Sequence, residues 1–367
     1  MNLLKKFNDK NERFVRFEYI LFFSYIILAI IGYFAIKSSV LNTYRESVSE
    51  KQILFIIVGF IIYNFILIIP DRTFKKSIPI FFILSFLSLI AVLFLGTTTY
   101  GAKRWIRLGP LGGFQPSEFF KLFLILYLSY ILSYKSKKHF YFSSILVIFS
   151  AILIYKEPDL GTTFIVLLIW FIFIFLSGKF EFLWKFLFFS GMAAAPVLFF
   201  FMKDYQKARI IGFLSPEAYS SGISYNVIQS TRAIGSGGIL GRGYMNGYMN
   251  LGNFVPENHS DFIISVIGEE FGFIGISLVL FLYLLILLRL YKLYKISYDI
   301  FWKYFYIVSA FLLFFHIFEN IGMNMGIMPV TGIALPFLSA GGTSTISFSI
   351  LLGIATKGAM TNKNIKR

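Results

Sequence analysis

The chain contains no cysteine, and it has few residues that carry charge or bind metals. Without cysteine it forms no disulfide bonds and no thiolate metal site. Only three histidines are present, and charged residues make up 14% of the 367 positions. The sequence also lacks an internal repeat of the kind that forms the two inverted halves of a secondary transporter. The informative features that remain are the distribution of apolar residues along the chain and a few polar segments.

Apolar residues dominate the composition. Hydrophobic residues make up 57% of the chain, and 47 residues are phenylalanine. Apolar runs of about 20 residues follow one another, as in proteins that cross a bilayer repeatedly. The pattern predicts an all-α polytopic membrane protein with about ten transmembrane helices. They are expected near 17–37, 51–69, 78–96, 118–133, 140–155, 160–177, 184–202, 262–288, 303–323 and 343–357.

Basic residues predict the orientation of these helices. Lys and Arg concentrate in the N-terminal segment and in the short loops on its side of the membrane. By the positive-inside rule, both termini are expected in the cytoplasm. A large extracytoplasmic loop, about 203–261, then lies between helices 7 and 8. No cleavage site is evident after the basic N-terminal segment, so the first helix is expected to remain as a signal anchor.

The net charge of +16 bears on the choice of partners. In a soluble protein this charge would suggest nucleic acid. In a membrane protein it is better explained by topology and by attraction to anionic lipid headgroups or an anionic lipid substrate. We therefore expect membrane lipids, and no nucleic acid, as partners.

Charged residues stand close to the predicted starts of two helices. Arg104 and its basic neighbours either collect a pyrophosphate or bind lipid headgroups at the interface. Glu118 and Lys121 follow, one helical turn apart, and either serve a substrate or simply pair with each other. Further on, Asp159 either caps the sixth helix or faces water, a cation or a basic partner.

The large loop holds the densest set of polar residues. Arg209 and a glycine-rich run, Gly235–Gly243, precede Asp261. The run includes Arg242, and it either leaves amide groups free for an anion or forms a flexible surface loop. Asp261 is either a helix N-cap or a carboxylate whose pKa is raised by burial or by the nearby Glu269.

Two more segments are polar or broken in an apolar context. The stretch Pro329–Ser344 is interrupted by proline and glycine, which predicts a re-entrant or surface-lying loop packed against protein. Polar residues at helical spacing mark an interior face of the ninth helix, where packing hydrogen bonds are the common explanation. These residues are His316, Glu319, Asn320 and Asn324.

Together these segments resemble the SEDS family (shape, elongation, division and sporulation), which contains the RodA and FtsW polymerases. The resemblance runs almost from end to end, with several independent motifs in the right order. The sequence of residues 225–238 is more similar to RodA than to FtsW. Ser260 occupies a position where the family usually has threonine. The motifs are Gly101–Lys121, Glu157–Thr163, Tyr225–Gly243, Pro256–Gly272 and Pro329–Ser344.

The resemblance implies a single membrane domain over residues 1–367 that polymerises lipid II into glycan strands outside the cytoplasmic membrane. The family's essential aspartate falls on Asp261, and Asp159, Glu118 and Lys121 match other positions on which the family relies. An inverting glycosyl transfer needs a base for the attacking hydroxyl and cations for the departing pyrophosphate. The expected base is Asp261, and the expected cations are Arg104, Lys121, Arg209 and Arg242.

Cofactors and partners are implied in the same way. The chemistry allows for a divalent cation, Mg²⁺ or Mn²⁺, although no metal-ligand spacing identifies its ligands. The expected partner is a class B penicillin-binding protein, a transpeptidase of the elongation machinery that maintains rod shape. The implied location is the bacterial cytoplasmic (inner) membrane. Alternatives are a lipid II flippase, an FtsW-like division polymerase and a non-catalytic scaffold.

Overall fold

The structure is a computed structural model that describes residues 17–361 apart from 42, 44, 100–101, 108, 110–111, 135–136, 179, 203, 217–221 and 223. Long helices occupy all ten predicted positions, which confirms the predicted helical membrane fold. The basic N-terminal segment lies outside the described residues. The long helices are α1 (Tyr19–Ser39), α2 (Ser47–Ile68), α3 (Asp71–Leu95), α4 (Pro116–Tyr134), α5 (Lys137–Lys156), α6 (Leu160–Ser177), α7 (Glu181–Phe201), α11 (Ile263–Ile296), α12 (Ile300–Asn324) and α13 (Gly342–Thr361).

Most of these helices are suited to lipid. In the described part of the chain, eight of them, α1 to α6, α11 and α12, are long and apolar enough to cross a membrane. Their outward faces carry large exposed apolar side chains such as Phe65, Phe94 and Phe281. In a bilayer these faces contact acyl chains rather than water.

Helix α13 differs from the others because it is rich in serine and threonine and is buried along almost its whole length. It packs against α2, where Tyr63 shares a hydrogen bond of 2.6 Å with Thr356 and Gln52 donates to Thr345 at 3.0 Å. A side chain at Gly353 would lie 3.1 Å from the backbone of Tyr63. Small residues thus bring the two helices close, and hydroxyl groups bond across the contact.

A small sheet contains Arg104 and its basic neighbours, in a segment whose sequence has the look of an interfacial loop. Strands β1 (Thr97–Thr99), β2 (Ala102–Arg107) and β3 (Gly113–Phe114) pair antiparallel in the order β1-β2-β3. Lys103 on β2 donates to the carbonyl of Leu93 at 2.6 Å and ties the sheet to the end of α3. The sheet therefore holds Arg104 on a paired strand rather than on a loose segment.

The large loop contains three short helices, α8 (Asp204–Leu214), α9 (Tyr225–Ser236) and α10 (Tyr248–Leu251). Its glycine-rich run packs on a break in α11 at Gly272, where φ is +63°. The amides of Arg242 and Gly243 donate to the carbonyls of Glu269 and Glu270 at 2.9 and 3.0 Å. These two amides therefore satisfy helix carbonyls at the break and are not free for an anion, and the run is packed against α11.

The fit of this run depends on its lack of side chains. A Cβ atom at Gly241 would lie 2.2 Å from the carbonyl oxygen of Glu270, and φ at Gly241 is +81°. Both conditions favour glycine. The run thereby packs against the second and third turns of α11, the helix that follows Asp261.

Candidate active site

A cavity of about 640 Å³ lies where β2, the first turns of α4, α6 and α13, and the turn before α11 come together. Its wall also includes α8 and the irregular segment that precedes α13. Six of the eight predicted site residues line it, although they are far apart in sequence. They are Asp261, Arg104, Glu118, Lys121, Asp159 and Arg209.

Asp261 lies in the turn that leads into α11. Its backbone carbonyl accepts hydrogen bonds from the side-chain amides of Asn320 and Asn324, both at 3.0 Å. The N-cap alternative is wrong, because the cap position of α11 is Phe262 and no side chain bonds to it. No described residue donates a hydrogen bond to the carboxylate of Asp261, which leaves it available to a ligand in the cavity.

Burial raises the pKa of Asp261 from 3.8 to about 6. Its carboxylate is half-buried, with one side open to the cavity and protein on the others. The positive charge of Arg104 opposes the rise, the negative charge of Glu257 adds to it, and Arg209 again opposes it. A carboxylate with such a pKa is ionised at neutral pH and is a stronger base than an ordinary aspartate.

Arg104 and Asp159 form one side of the cavity. A guanidinium nitrogen of Arg104 lies 3.5 Å from Oδ2 of Asp159, and Gln115 donates to the same oxygen at 3.2 Å. The other oxygen of Asp159 accepts from the amide of Thr162 at 3.0 Å. Asp159 thus caps α6, as one alternative predicted, and at the same time orients Arg104.

Lys121 is buried at the inner wall of the cavity. Its ammonium group donates to Oε1 of Glu118 at 2.7 Å and lies 3.2 Å from Nε2 of His316. Nδ1 of His316 lies 3.1 Å from the carbonyl oxygen of Ala334, so this nitrogen carries the proton and Nε2 accepts from Lys121. The predicted pairing of Glu118 with Lys121 is confirmed, and it is completed by a neutral histidine from the polar face of α12.

Arg209 approaches the cavity from α8. It donates to the carbonyl of Thr331 at 3.5 Å, and the Thr331 hydroxyl bonds to the carboxylate of Glu319. The next residue, Gly332, lies against Asp261, because a Cβ atom there would be 3.3 Å from Oδ2. A larger residue at this position would narrow the space beside the carboxylate.

Arg242 and Glu269 do not line the cavity, so the structure does not bring them to the predicted substrate site. Glu269 is fully buried and accepts hydrogen bonds from the amides of Met249 and Asn250, at 2.7 and 3.0 Å. Nε of Arg242 donates to the carbonyl of Ser236 at 3.2 Å. Both residues therefore stabilise the large loop and its contact with α11. The carboxylate whose charge raises the pKa of Asp261 is Glu257 and not Glu269, as had been expected.

Glu157 lies behind this site in the turn between α5 and α6. Its side chain is buried, and neither carboxylate oxygen has a hydrogen-bond partner among the described residues. Burial, with a contribution from the charge of Asp159, raises its pKa from 4.5 to about 8, against the opposing charge of Arg104. Glu157 is therefore mostly protonated at neutral pH, which avoids the cost of an unpaired buried charge.

Several residues of the site were not predicted from the sequence. Gln115, Thr331, Gly332 and Ser344 line the cavity, and each comes from a segment that had been noted only as a motif. The polar spacing on α12 was the available signal for His316 and the two asparagines. In the described part of the chain, no group of three or more His, Asp or Glu side chains could hold a metal ion.

Comparisons with known proteins agree with this arrangement. The chain matches the family model described as Cell cycle protein, which covers FtsW, RodA and SpoVE, over residues 13–364. Peptidoglycan glycosyltransferase MrdB of Escherichia coli K12 is 34% identical over 352 residues, which is 93% of this chain and 94% of the relative. The probable peptidoglycan glycosyltransferase FtsW of Geobacter sulfurreducens (strain ATCC 51573 / DSM 12127 / PCA) is 34% identical over 324 residues, 84% of this chain and 85% of the relative.

Solved structures share the fold. A chain of a peptidoglycan synthase complex that coordinates polymerisation and crosslinking superposes with a TM-score of 0.80 at 26% identity, over 95% of this chain and 98% of that chain. The rod shape determining protein RodA of Thermus thermophilus superposes with a TM-score of 0.71 at 26% identity, over the same shares of the two chains. The match along the sequence and the shared fold lead to one conclusion: the chain belongs to the FtsW/RodA/SpoVE family of cell cycle proteins.

Proposed function

We propose that this protein is a multi-pass peptidoglycan glycosyltransferase of the cytoplasmic membrane that polymerises lipid II into glycan strands. The observation that carries the proposal is the free carboxylate of Asp261, with a pKa of about 6, in a cavity that also presents three cationic side chains. The named activities of the relatives MrdB and FtsW agree with it.

In the proposed reaction, Asp261 is the general base. It takes the proton from the 4-hydroxyl of the acceptor sugar as that oxygen attacks the anomeric carbon of the donor. The bond from this carbon to the pyrophosphate oxygen breaks, and undecaprenyl pyrophosphate leaves with the electron pair. The donor is α-linked and the product β-linked, so one displacement with inversion accounts for the stereochemistry. A positioned base of this kind contributes roughly 10²–10⁴-fold to the rate.

Arg104, Lys121 and Arg209 are proposed to bind the pyrophosphate. Each is already oriented by a carboxylate or carbonyl, so little reorganisation is needed when the leaving group gains charge. Arg242 is left out of this set because it does not reach the cavity.

A divalent cation remains a proposal. The cavity is lined by four carboxylates and three cationic side chains, so it does not by itself neutralise a pyrophosphate. Mg²⁺ is commonly held by one or two carboxylates together with substrate phosphates, and Asp159 is the cavity carboxylate that we propose for this, since Asp261 must stay unligated to act as the base. Such an ion would neutralise charge on the leaving group.

The orientation, partner and pathway complete the proposal. The excess of basic residues on the N-terminal side supports cytoplasmic termini and a cavity that opens outside. We propose a class B penicillin-binding protein as the transpeptidase partner, since a structural neighbour belongs to a complex that couples polymerisation to crosslinking. The similarity of residues 225–238 to the RodA sequence favours a role in cell elongation and rod shape.

The test is polymerisation of purified lipid II by the purified protein in detergent, where no transport across a membrane is needed. Asp261→Asn is expected to abolish glycan-strand synthesis. The matched control is Asp204→Asn, since Asp204 is an exposed carboxylate in the same loop, away from the cavity. Glycan synthesis by Asp261→Asn at the wild-type rate would refute the assignment. If the wild-type protein with its partner made no glycan, a flippase or a scaffold would replace the polymerase.

A further inference from the structure

The first turns of three helices meet at the cavity, and they differ in how their positive ends are compensated. The first turn of α4 contains Glu118. Helix α6 is capped by Asp159, whose carboxylate accepts a hydrogen bond from the amide of Thr162. Helix α13 has no acidic residue in its first turn. A helix N-terminus carries partial positive charge and free amide groups, so α13 presents an uncompensated positive end to the cavity.

A second observation at the same place is the side chain of Ser344. It is 7% exposed and lines the cavity, and its hydroxyl has no hydrogen-bond partner among the described residues. Most buried hydroxyl groups are bonded, and an unbonded one is commonly explained by an absent ligand or water. The amides of residues 342–344 precede the first helical hydrogen bond, from Thr345 to Gly341 at 2.9 Å.

The first two turns of α13 also lie against the residues that hold Lys121. Ser347 donates to the carbonyl of Glu118 at 3.1 Å, and the ring of Phe348 contacts His316 edge-on at 4.9 Å. Lys121 has two of its three ammonium hydrogens directed to Glu118 and His316. Lys121 lines the same cavity as Gly341 and Ser344 at the start of α13, and the ammonium group has one hydrogen beyond those directed to Glu118 and His316.

We propose that the N-terminus of α13, with the Ser344 hydroxyl and the Lys121 ammonium, is the subsite for the diphosphate of the lipid-linked donor. This inference rests on the proposed function and assigns its leaving group to one end of the cavity. Ser344 donates to a diphosphate oxygen, the amides of the first turn donate to the same group, and Lys121 supplies the charge. Arg104 and Arg209 line the same cavity and complete the set of cations proposed above for this diphosphate.

The test measures binding separately from catalysis. Purified protein in a phosphate-free detergent is titrated by calorimetry with geranylgeranyl diphosphate, geranylgeranyl monophosphate and inorganic pyrophosphate. Ser344→Ala is expected to weaken both diphosphate ligands roughly tenfold, about 1.4 kcal/mol, because it removes a hydrogen bond to a charged group. The monophosphate, which resembles a phospholipid headgroup, is expected to bind more weakly and to change less.

The matched control is Ser349→Ala, on the same helix but bonded to Thr345 and Tyr25 and away from the cavity. It is expected to bind as the wild type does. Ser344→Cys, which keeps a heavy atom at the γ position but donates only weakly, is expected to match Ser344→Ala and guards against an effect of the lost atom on packing. Thermal unfolding of each variant reports whether it is folded.

Three results would each overturn the subsite, and the first two are unchanged diphosphate affinity in Ser344→Ala and an equal loss in Ser344→Ala and Ser349→Ala. Full affinity in Ser344→Cys with loss in Ser344→Ala would also overturn it. These outcomes differ from failure of the proposed function. In that case the wild-type protein makes no glycan from lipid II, whatever its affinity for diphosphates.

Discussion

The pKa of Asp261 predicts how the polymerisation rate depends on pH. If this carboxylate is the base, only its ionised form is active, and a pKa of about 6 leaves most of it ionised at pH 7. At pH 5 about one molecule in eleven is ionised, so kcat/KM is expected to fall roughly tenfold between pH 7 and pH 5. An aspartate with an ordinary pKa near 3.8 would give an almost flat profile over this range.

Two substitutions are expected to move this profile in opposite directions. Glu257→Gln removes a negative charge that raises the pKa of Asp261, so the acidic limb shifts to lower pH. Arg209→Gln removes a positive charge that lowers the pKa, so the limb shifts to higher pH. Because Arg209 is also proposed to bind substrate, its variant is judged by the position of the limb and not by its absolute rate.

The assay is the initial rate of glycan formation from lipid II in detergent, measured from pH 5 to pH 8. Thermal unfolding at each pH separates loss of activity from loss of structure. A flat profile between pH 5 and pH 7 in the wild-type protein would refute the reasoning. So would shifts in the same direction for both variants, because the signs follow from the charges alone.

The remaining predictions concern stability and the setting of Lys121. Glu157 has a pKa raised from 4.5 to about 8 in the folded protein, so the folded form holds a proton that the unfolded form loses, and stability should fall as pH rises from about 5 to 8. Thermal unfolding should show a smaller fall in Glu157→Gln, and equal falls would contradict the pKa. His316→Phe, which removes the acceptor for Lys121, is expected to lower kcat tenfold or more, since a hydrogen bond to a charged group is worth about 1.5–3 kcal/mol. His316→Gln, which can still accept, should recover part of the rate, and equal rates for the two variants would remove the positioning role. Gly241→Ala should lower the melting temperature strongly, because its Cβ atom would meet the Glu270 carbonyl. The control is Gly235→Ala, at a helical position with open space around it, which should leave the melting temperature unchanged or raise it. Similar melting temperatures for the two variants would show that the glycine-rich run does not pack as described.

The sequence predicted the helices well because their signal is strong and local. A run of about 20 apolar residues has few alternatives to a buried or membrane-embedded helix. The sheet at residues 97–114 was not predicted, since short strands with basic and aromatic residues look like an interfacial loop. The glycine-rich run was misjudged because the partner of its amides, the break at Gly272, is about 30 residues further along the chain.

The site was predicted in part. Asp261, Arg104 and Asp159 stood out as charged residues next to apolar helices, where unpaired charge is costly. Glu269 has the same appearance in the sequence, yet it bonds to the backbone of α10 and not to a ligand in the cavity. Only the fold distinguishes a carboxylate that is satisfied by amides from one that is left free.

The burial of α13 has a consequence for biosynthesis. This helix is synthesised after the other nine long helices of the described chain, and its serine and threonine content makes it a poor candidate to enter a bilayer alone. Its main neighbour, α2, is synthesised well before it, so the face of α2 that α13 covers must stay uncovered while the intervening helices are made. Chain termination shortly before residue 342 would leave polar groups of α2, such as those of Gln52 and Tyr63, without their partners on α13. Such a truncated helix bundle is expected to be a substrate for quality-control proteases of the membrane.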